Sequence, residues 1–234
     1  MTQEKFTDLI KLVQEKGANP PEHLFDGGVD DWHARARLAH FLVMEGIDSL
    51  EDAEELFLSV KDAEPNTEDS QDVEEKIYAL QGLAGLYRRL KKYPTALDTI
   101  NQAIELAEST DYLYKYIVRG ELWGDRWNIM QLLDQGTVAS KEIDERIAAF
   151  KDAPISHNSY LYYGYRFKAQ LAAVNLDKEG AKDLMRKALS YMDITPADQA
   201  KLDEAFKPDH DNLAWILAEI DRATPNPSNV HWDI

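Results

Sequence analysis

The sequence predicts an all-α protein built of stacked antiparallel helical hairpins. Apolar residues recur at steps of three and four along almost the whole chain, which is the spacing of one helix face. No stretch of the 234 residues reads as a convincing strand. The connections between the amphipathic segments are short, and short connections make consecutive helices antiparallel neighbours. We expect about 10 or 11 helices in a single domain over residues 1–223 and an extended tail over residues 224–234.

Capping residues and helix breakers delimit the first three predicted helices. Gly17 and Gly46 stop the first two helices, and Pro65 ends the third. Ser49 and Asp52 have the three-residue spacing of a capping box, in which side chains satisfy free backbone amides at a helix start. The first two helices are predicted over residues 2–17 and about 30–45, and the third begins near Asp48 or Ser49 and ends before Pro65.

Eight further helices are predicted after the acidic segment Asp62–Glu75, which we interpret as a surface linker that runs into the next helix. Pro94 and Pro196 suit a first helical turn, where the missing donor of proline costs nothing. Gly136 and Pro154 are expected to interrupt other helical runs. The predicted helices cover residues 71–91, 94–109, 111–133, 140–151, 157–174, 177–192, 196–206 and 209–222.

Composition and charge restrict the classes of function. The chain has 43 acidic and 26 basic residues, a formal net charge of −17, and no cysteine. This charge opposes binding to phosphate backbones and anionic membranes, so we expect neither nucleic acid nor a membrane as partner. The absence of cysteine excludes disulfides, thiolate metal sites and a cysteine nucleophile. Because the N-terminus is charged and does not resemble a signal peptide, we expect a cytoplasmic protein.

Residues 77–110 form the clearest helix-turn-helix unit of the chain. Leu83 and Tyr87 lie along its first helix, while Ala96 and Ala103 provide small residues on the second, where two helices can approach closely. This unit resembles the tetratricopeptide repeat, a helical hairpin of about 34 residues. Two more divergent units lie at about 30–65 and 162–195, and the hairpin over 111–151 matches the motif at Ile147 and almost nowhere else.

The resemblance implies a concave groove that is lined by the first helix of each hairpin and binds an extended peptide or a helix of another protein. Basic, aromatic and amide side chains fall at the corresponding positions of this acidic chain. Since arginine and aromatic residues often anchor interfaces, we expect an acidic or carboxylate-ended segment as the ligand. The implied groove residues are Tyr78, Gln81, Arg88, Tyr116, Arg119, Trp123, Arg126, Tyr163, Arg166 and Gln170.

Two interpretations of these side chains stay open. The aromatic residues either face the groove or pack between helices. The basic cluster of Arg88, Arg89, Lys91 and Lys92 either binds a partner or complements the negative end of a helix dipole.

No motif points to catalysis, a cofactor or a metal site. The chain lacks a phosphate loop, a glycine-rich dinucleotide turn, a nucleophile elbow and a His-Glu-x-x-His pair. His33 and His40 share a predicted helix face, and Asp30 is the carboxylate with ligand-like spacing to His33. An acidic first helical turn explains Asp30, and it also explains the Asp209-His210-Asp211 triplet. We therefore expect a non-catalytic adaptor or regulator that binds a protein or peptide, with no cofactor and no metal.

A second hypothesis assigns the function to the charge itself. A stoichiometric acidic inhibitor, such as an immunity-type protein, would block a basic protein through the acidic segment. Ionic strength separates the two hypotheses, because charge-driven blockade weakens steeply in salt whereas capture of an apolar-aromatic peptide does not. A homo-oligomer is compatible with the sequence but not indicated by it, and the tail either binds a partner or caps its own fold. In the inhibitor hypothesis, the carboxylates that would contact the basic protein are Glu64, Glu68, Asp69, Asp72, Glu74 and Glu75.

Overall fold

A computed structural model describes residues 1–16, 20–44, 49–112, 115–153 and 157–191, with the side chains of residues 44, 116 and 117 excepted. These residues form nine α-helices and no strand, which confirms the all-α prediction. The chain divides into two compact units, residues 1–115 and residues 116–234. The single domain over 1–223 stays a prediction. The helices predicted at 196–206 and 209–222, and the tail, lie outside the described residues.

The first unit contains five of the helices and the second contains four. Two short 3₁₀ turns, Glu22–Phe25 and Gly28–Asp30, connect the first and second helices. The α-helices are α1 Gln3–Glu15, α2 Trp32–Met44, α3 Leu50–Lys61, α4 Ser70–Arg89, α5 Tyr93–Ser109, α6 Lys115–Leu132, α7 Gly136–Phe150, α8 Asn158–Val174 and α9 Lys178–Ser190.

Packing in the first unit follows chain order. Helix α2 packs against both α3 and α4, and α4 packs against α5 along most of its length. Because only three residues separate α4 from α5, the two helices run antiparallel. Apolar residues from all five helices fill the interior, among them Phe6, Leu38, Phe57, Ile77 and Ile100, each at most 1% exposed.

Side-chain caps begin some of these helices but not α3. The Thr2 hydroxyl accepts a hydrogen bond from the Lys5 amide at 3.2 Å, and the Asp69 carboxylate accepts one from the Gln71 amide at 2.9 Å. The capping box predicted at the start of α3 is wrong, because the Ser49 side chain makes no capping hydrogen bond. The Asp52 carboxylate lies 2.6 Å from the ammonium group of Lys5 and so joins α3 to α1.

One turn geometry recurs at the ends of α4, α6 and α8. In each turn a non-glycine residue adopts the left-handed backbone conformation two positions before the next helix begins. The amide that follows it bonds back to a carbonyl five residues earlier, as in a Schellman motif. The left-handed residues are Lys91, Asp134 and Leu176, with φ of 58°, 59° and 64°, so that successive turns are 43 and 42 residues apart.

The recurring turn gives the three hairpins a common register. Five residues after each left-handed residue stands a fully buried alanine, and nine residues after it stands a buried large apolar residue. The middle hairpin therefore carries the same pattern as its neighbours, although its sequence motif is weak. The alanines are Ala96, Ala139 and Ala181, and the large residues are Ile100, Ile143 and Met185.

The same turn explains an error in one helix boundary. Helix α7 begins at Gly136, four residues before the predicted start, and the expectation that Gly136 interrupts a helix is wrong. Asp134 makes the left-handed turn, so the backbone at Gly136 is already helical.

In the second unit, α6 and α8 approach each other through glycine. A Cβ atom on Gly124 would lie 2.7 Å from Cδ1 of Tyr163, and one on Gly120 would lie 2.6 Å from the carbonyl carbon of Ser159. Helix α8 then packs on α9 through a cluster that includes Tyr165. Glycine at two positions one helical turn apart thus permits a close contact between the first helices of two hairpins.

Glycine in place of Leu176 is expected to raise the free energy of unfolding by about 1 kcal/mol. The left-handed conformation costs a non-glycine residue about 1–2 kcal/mol, and glycine adopts it without a steric penalty. The Leu176 side chain is 53% exposed, so that its removal sacrifices little burial. Urea unfolding of the two proteins measures the difference.

Leu58→Gly is the matched control for this substitution. Leu58 is 44% exposed within α3, where the backbone is helical. Glycine there is expected to lower the free energy of unfolding by about 1 kcal/mol, because glycine disfavours a helix interior. Destabilisation of the same size at both positions would refute strain at Leu176.

Candidate partner-binding surface

Helix α4 presents the predicted groove residues of the first unit on one face. Tyr78, Gln81 and Arg88 are half-buried there, at steps of three and seven residues. A Cβ atom placed on Gly85, between them, would meet no atom within 4 Å. We call the row of Tyr78, Gln81, Gly85 and Arg88 the α4 strip. It is open to a ligand at Gly85, and its use by a partner stays a prediction.

The adjacent face of α4 is occupied by α2. His40 is half-buried and donates a hydrogen bond from Nε2 to the Tyr78 carbonyl at 2.8 Å. Burial lowers the pKa of His40, and this hydrogen bond only partly offsets the effect. The prediction that His33 and His40 share a helix face is confirmed, since both contact α4. Three polar pairs join the helices: His33 with Asp72, Arg37 with Glu75, and His40 with the Tyr78 carbonyl.

The carboxylates that contact His33 differ from Asp30, the one with ligand-like spacing in the sequence. The His33 ring is bonded to Asp31 and Asp72 rather than to Asp30. Asp31 directly precedes α2, whereas Asp72 is 39 residues away in sequence and is brought close by the packing of α4 on α2.

Part of the basic cluster after α4 is used inside the first unit. Arg89 donates to the carbonyl of Val43 near the end of α2, at 2.8 Å. The Lys92 ammonium group lies 2.8 Å from the Glu54 carboxylate and 5.4 Å from the centre of the Tyr87 ring. Arg89 and Lys92 therefore stabilise helix ends and helix contacts in this unit.

Helix α8 presents three predicted groove residues in the second unit. Tyr163, Arg166 and Gln170 are half-buried along one side of the helix. The Arg166 guanidinium lies 5.9 Å from the centre of the Tyr163 ring, within the range of a cation–π contact. Tyr163 on α8 occupies the same position in its hairpin as Tyr78 on α4, because each lies thirteen residues before the left-handed residue of the following turn.

Helix α6 differs from the predicted register. Arg126 forms a two-pronged pair with Glu142 of α7, in which Nη2 lies 3.1 Å from Oε1. The Arg146 guanidinium of α7 stacks 3.3 Å from the centre of the Trp123 ring. Trp123 and Arg126 are therefore turned toward α7, within their own hairpin. Arg119 is half-buried, and the Tyr116 side chain lies outside the described residues.

Counting from the turn places other residues of α6 at the positions that the predicted groove residues occupy on α8. The positions thirteen and six residues before Asp134 are Glu121 and Asn128, which correspond to Tyr163 and Gln170 on α8. Sequence reasoning missed them because no motif anchors the register of α6. The signal that locates them is the left-handed turn, and a sequence pattern does not reveal it where the residue is Asp134 rather than glycine.

Four side chains from α6 and α8 form an electrostatic cluster, which we call the α6–α8 cluster: Glu121, Asp125, Tyr163 and Arg166. Burial raises the pKa of Glu121, the Asp125 charge raises it further, and Arg166 opposes the shift. Burial, reinforced by Glu121, also raises the pKa of Tyr163. The cluster therefore offers a cation, a carboxyl group of reduced acidity and a neutral phenol side by side.

Several carboxylates of the acidic segment have partners within the first unit. Asp69 caps α4, Asp72 accepts a bond from the Asn66 amide at 3.1 Å, and Glu75 pairs with Arg37. Burial, with the neighbouring Glu75 charge, raises the pKa of Glu74. Glu74 also shares a hydrogen bond with Tyr78, so four of the six carboxylates named for an inhibitory surface have structural partners, and that hypothesis stays a prediction.

Comparisons with known proteins identify no relative. The chain matches no protein-family model, no curated protein and no solved structure. Within the described ranges, no group of three or more acidic, histidine or cysteine side chains is placed to hold a metal ion. None of the helices that the structure describes is long and apolar enough to cross a membrane. The Asp209-His210-Asp211 triplet lies outside the described residues.

Proposed function

We propose that this chain is a non-catalytic scaffold that binds a peptide or helix of a partner protein through the first helices of tetratricopeptide-like hairpins. The observation that carries the proposal is the shared register of the three hairpins. In all of them the buried alanine and the large apolar residue of the second helix stand at fixed distances from the same turn. The turn-to-turn distances of 43 and 42 residues exceed the roughly 34 residues of the tetratricopeptide unit, so the proposed hairpins are longer members of this type.

The chemistry of the first helices supports a protein segment as ligand. On α4 and on α8, a tyrosine is followed three residues later by a side chain with planar N–H donors, Gln81 or Arg166. Such groups recognise carboxylates and backbone carbonyls in extended chains. Beside Arg166, the Glu121 carboxyl can accept a bond from a partner amide. The preferred segment therefore carries a carboxylate for Arg166 and a donor for Glu121.

Loss of Arg166 and Gln170 together is expected to weaken partner binding at unchanged thermal stability. The partner is first captured with the wild-type chain from its native host, then purified, and its affinity is measured by calorimetry. An interface anchor contributes about 2 kcal/mol, so that Arg166→Ala with Gln170→Ala should raise the dissociation constant at least about tenfold.

The control for this pair is Arg186→Ala on α9. Arg186 is exposed and pairs with Asp183 at 2.8 Å, one turn away on the second helix of its hairpin. The control should bind like the wild type. Wild-type affinity in the Arg166→Ala, Gln170→Ala protein would refute a binding role for these two residues.

A salt series with the same purified partner tests the competing inhibitor hypothesis. Binding through apolar and planar contacts is expected to change by less than tenfold between about 0.1 and 0.5 M salt. A steep loss of affinity in salt, together with insensitivity to the Arg166 substitution, would instead identify a charge-driven inhibitor.

A further inference from the structure

His33 lies between two carboxylates in the first unit. Its Nδ1 atom is 2.9 Å from Oδ1 of Asp31, and its Nε2 atom is 2.7 Å from Oδ1 of Asp72. An ionised carboxylate only accepts hydrogen bonds, whereas a neutral imidazole has one donor nitrogen and one acceptor nitrogen. Both contacts are therefore satisfied only when the ring carries two protons and a positive charge.

The two carboxylates tie the ring to three parts of the backbone. Asp31 accepts bonds from the amides of His33 and Ala34, at 3.0 and 3.3 Å, and so caps the start of α2. Asp72 belongs to the first turn of α4, and its second oxygen accepts the bond from Asn66 in the preceding loop. A protonated His33 thus connects the beginning of α2, the beginning of α4 and the loop before α4.

The charges around the ring favour its protonated form. Besides Asp31 and Asp72, Glu75 of α4 contributes a negative charge, and Arg37 of α2 pairs with Glu75 one turn further along. Burial is the largest single influence and opposes the charge, but the bonds to Asp31 and Asp72 and the charges of Glu75 and Asp31 outweigh it and raise the pKa of His33. The side chain keeps 24% of its surface exposed, so protons exchange freely with water.

We propose that His33 is a pH-sensitive clasp that holds the first turns of α2 and α4 together while its ring is protonated and releases the segment from Asn66 to Asp72 when the ring loses a proton. On deprotonation one ring nitrogen presents a lone pair to a carboxylate oxygen, and the two repel. The loop then loses the bond between Asn66 and Asp72 as the Asp72 side chain moves away. This device is independent of the proposed partner-binding strip, which involves another face of α4.

The direction of the pH effect follows from proton binding. Because the folded protein holds the His33 proton to a higher pH than the unfolded chain, the clasp contributes its full stabilisation below a pH of about 6.5. This contribution is lost as the pH rises through the raised pKa of His33.

The clasp is tested by NMR titration of the full chain combined with amide hydrogen exchange. We expect the His33 ring to titrate with a midpoint above about 6.5. The protection factor of the Asn66 amide should fall roughly two- to tenfold across that midpoint, since this amide loses its hydrogen bond to Asp72. The His33 and Ala34 amides, which are bonded to Asp31, should keep their protection. A midpoint at or below about 6.5, or protection that is constant through the titration, would overturn the proposal.

Two variants and one control complete the experiment. His33→Gln should give low, pH-independent protection of the Asn66 amide. Asp72→Asn retains His33, and the midpoint of the His33 titration should be lower in this variant than in the wild type. His23→Gln replaces an exposed histidine and should leave the protection profile unchanged. An unaltered His33 midpoint in Asp72→Asn would refute the role of Asp72.

Discussion

Gly82→Ala is expected to leave the protein about 1–3 kcal/mol less stable than Gly85→Ala, although both substitutions add one methyl group to α4. A Cβ atom on Gly82 would lie 2.6 Å from Cε1 of His40 and 2.7 Å from Cζ of Phe57. Neither ring can move away from the added methyl group without the loss of a contact. His40 is bonded to the Tyr78 carbonyl, and its ring meets Phe57 edge-on, with centroids 5.3 Å apart. Accommodating the methyl group therefore requires α2 or α3 to shift away from α4.

Gly85→Ala is the matched control, since the added methyl group meets open space. Alanine favours a helix over glycine by about 1 kcal/mol, so that this variant should be more stable than the wild type. The helix preference cancels between the two variants, and their difference in urea unfolding reports the packing cost alone. Equal free energies of unfolding would contradict the close packing of α4 against His40 and Phe57.

Lys76 is expected to make the stability of the first unit rise between about pH 8 and pH 10.5. The side chain is 5% exposed, and its ammonium group donates to the carbonyls of Val60 and Lys61 at the end of α3, at 2.5 and 2.6 Å. Both bonds lie at the C-terminal end of α3, where the Val60 carbonyl also accepts a hydrogen bond from the Ala63 amide at 3.1 Å. Burial nevertheless lowers the pKa of Lys76 to about 8, against a favourable influence of Asp62.

The sign of this pH dependence follows from proton binding. The unfolded chain holds the Lys76 proton up to about pH 10.5, whereas the folded chain loses it near pH 8. Because the unfolded state binds more protons between these values, stability rises with pH in that window. A shift of this size corresponds to about 3 kcal/mol.

The measurement compares urea unfolding of the wild type and Lys76→Met at about pH 7 and pH 10. All other groups titrate alike in both proteins, so the difference between them isolates Lys76. We expect the wild type to gain about 2–3 kcal/mol relative to Lys76→Met over this range. Parallel pH profiles would show that Lys76 keeps an ordinary pKa and is not desolvated.

Helix boundaries with local signals were predicted closely. The prediction for α5 began at Pro94 and the structure begins the helix at Tyr93, since proline suits a first helical turn. The prediction for α4 began one residue after Ser70, beside the Asp69 cap. In both cases the residues that start the helix are neighbours in sequence, so their interaction is visible without the rest of the fold.

The register of α6 and the start of α7 were not predictable in the same way. The turn between them depends on a left-handed backbone at Asp134, a conformation that asparagine or glycine signals more clearly. Because the position of this turn was not known from the sequence, the arginine and aromatic residues of α6 were predicted to line a groove. Two of them, Trp123 and Arg126, are paired with α7 instead.

Helical periodicity was sufficient to establish the all-α class and most of the helical segments, because the spacing of apolar residues and the capping residues act over a few positions. Which side chains pair across helices depended on packing. His33 meets Asp72 and Lys76 meets the end of α3 across 39 and 15–16 residues of intervening chain. Such pairs form because hydrophobic burial brings whole helix faces together, and the polar groups carried along must then find partners at the contact. The stacking of the hairpins stays a prediction from the sequence, whereas the faces that packed helices such as α2 and α4 turn toward each other were decided by the folded chain.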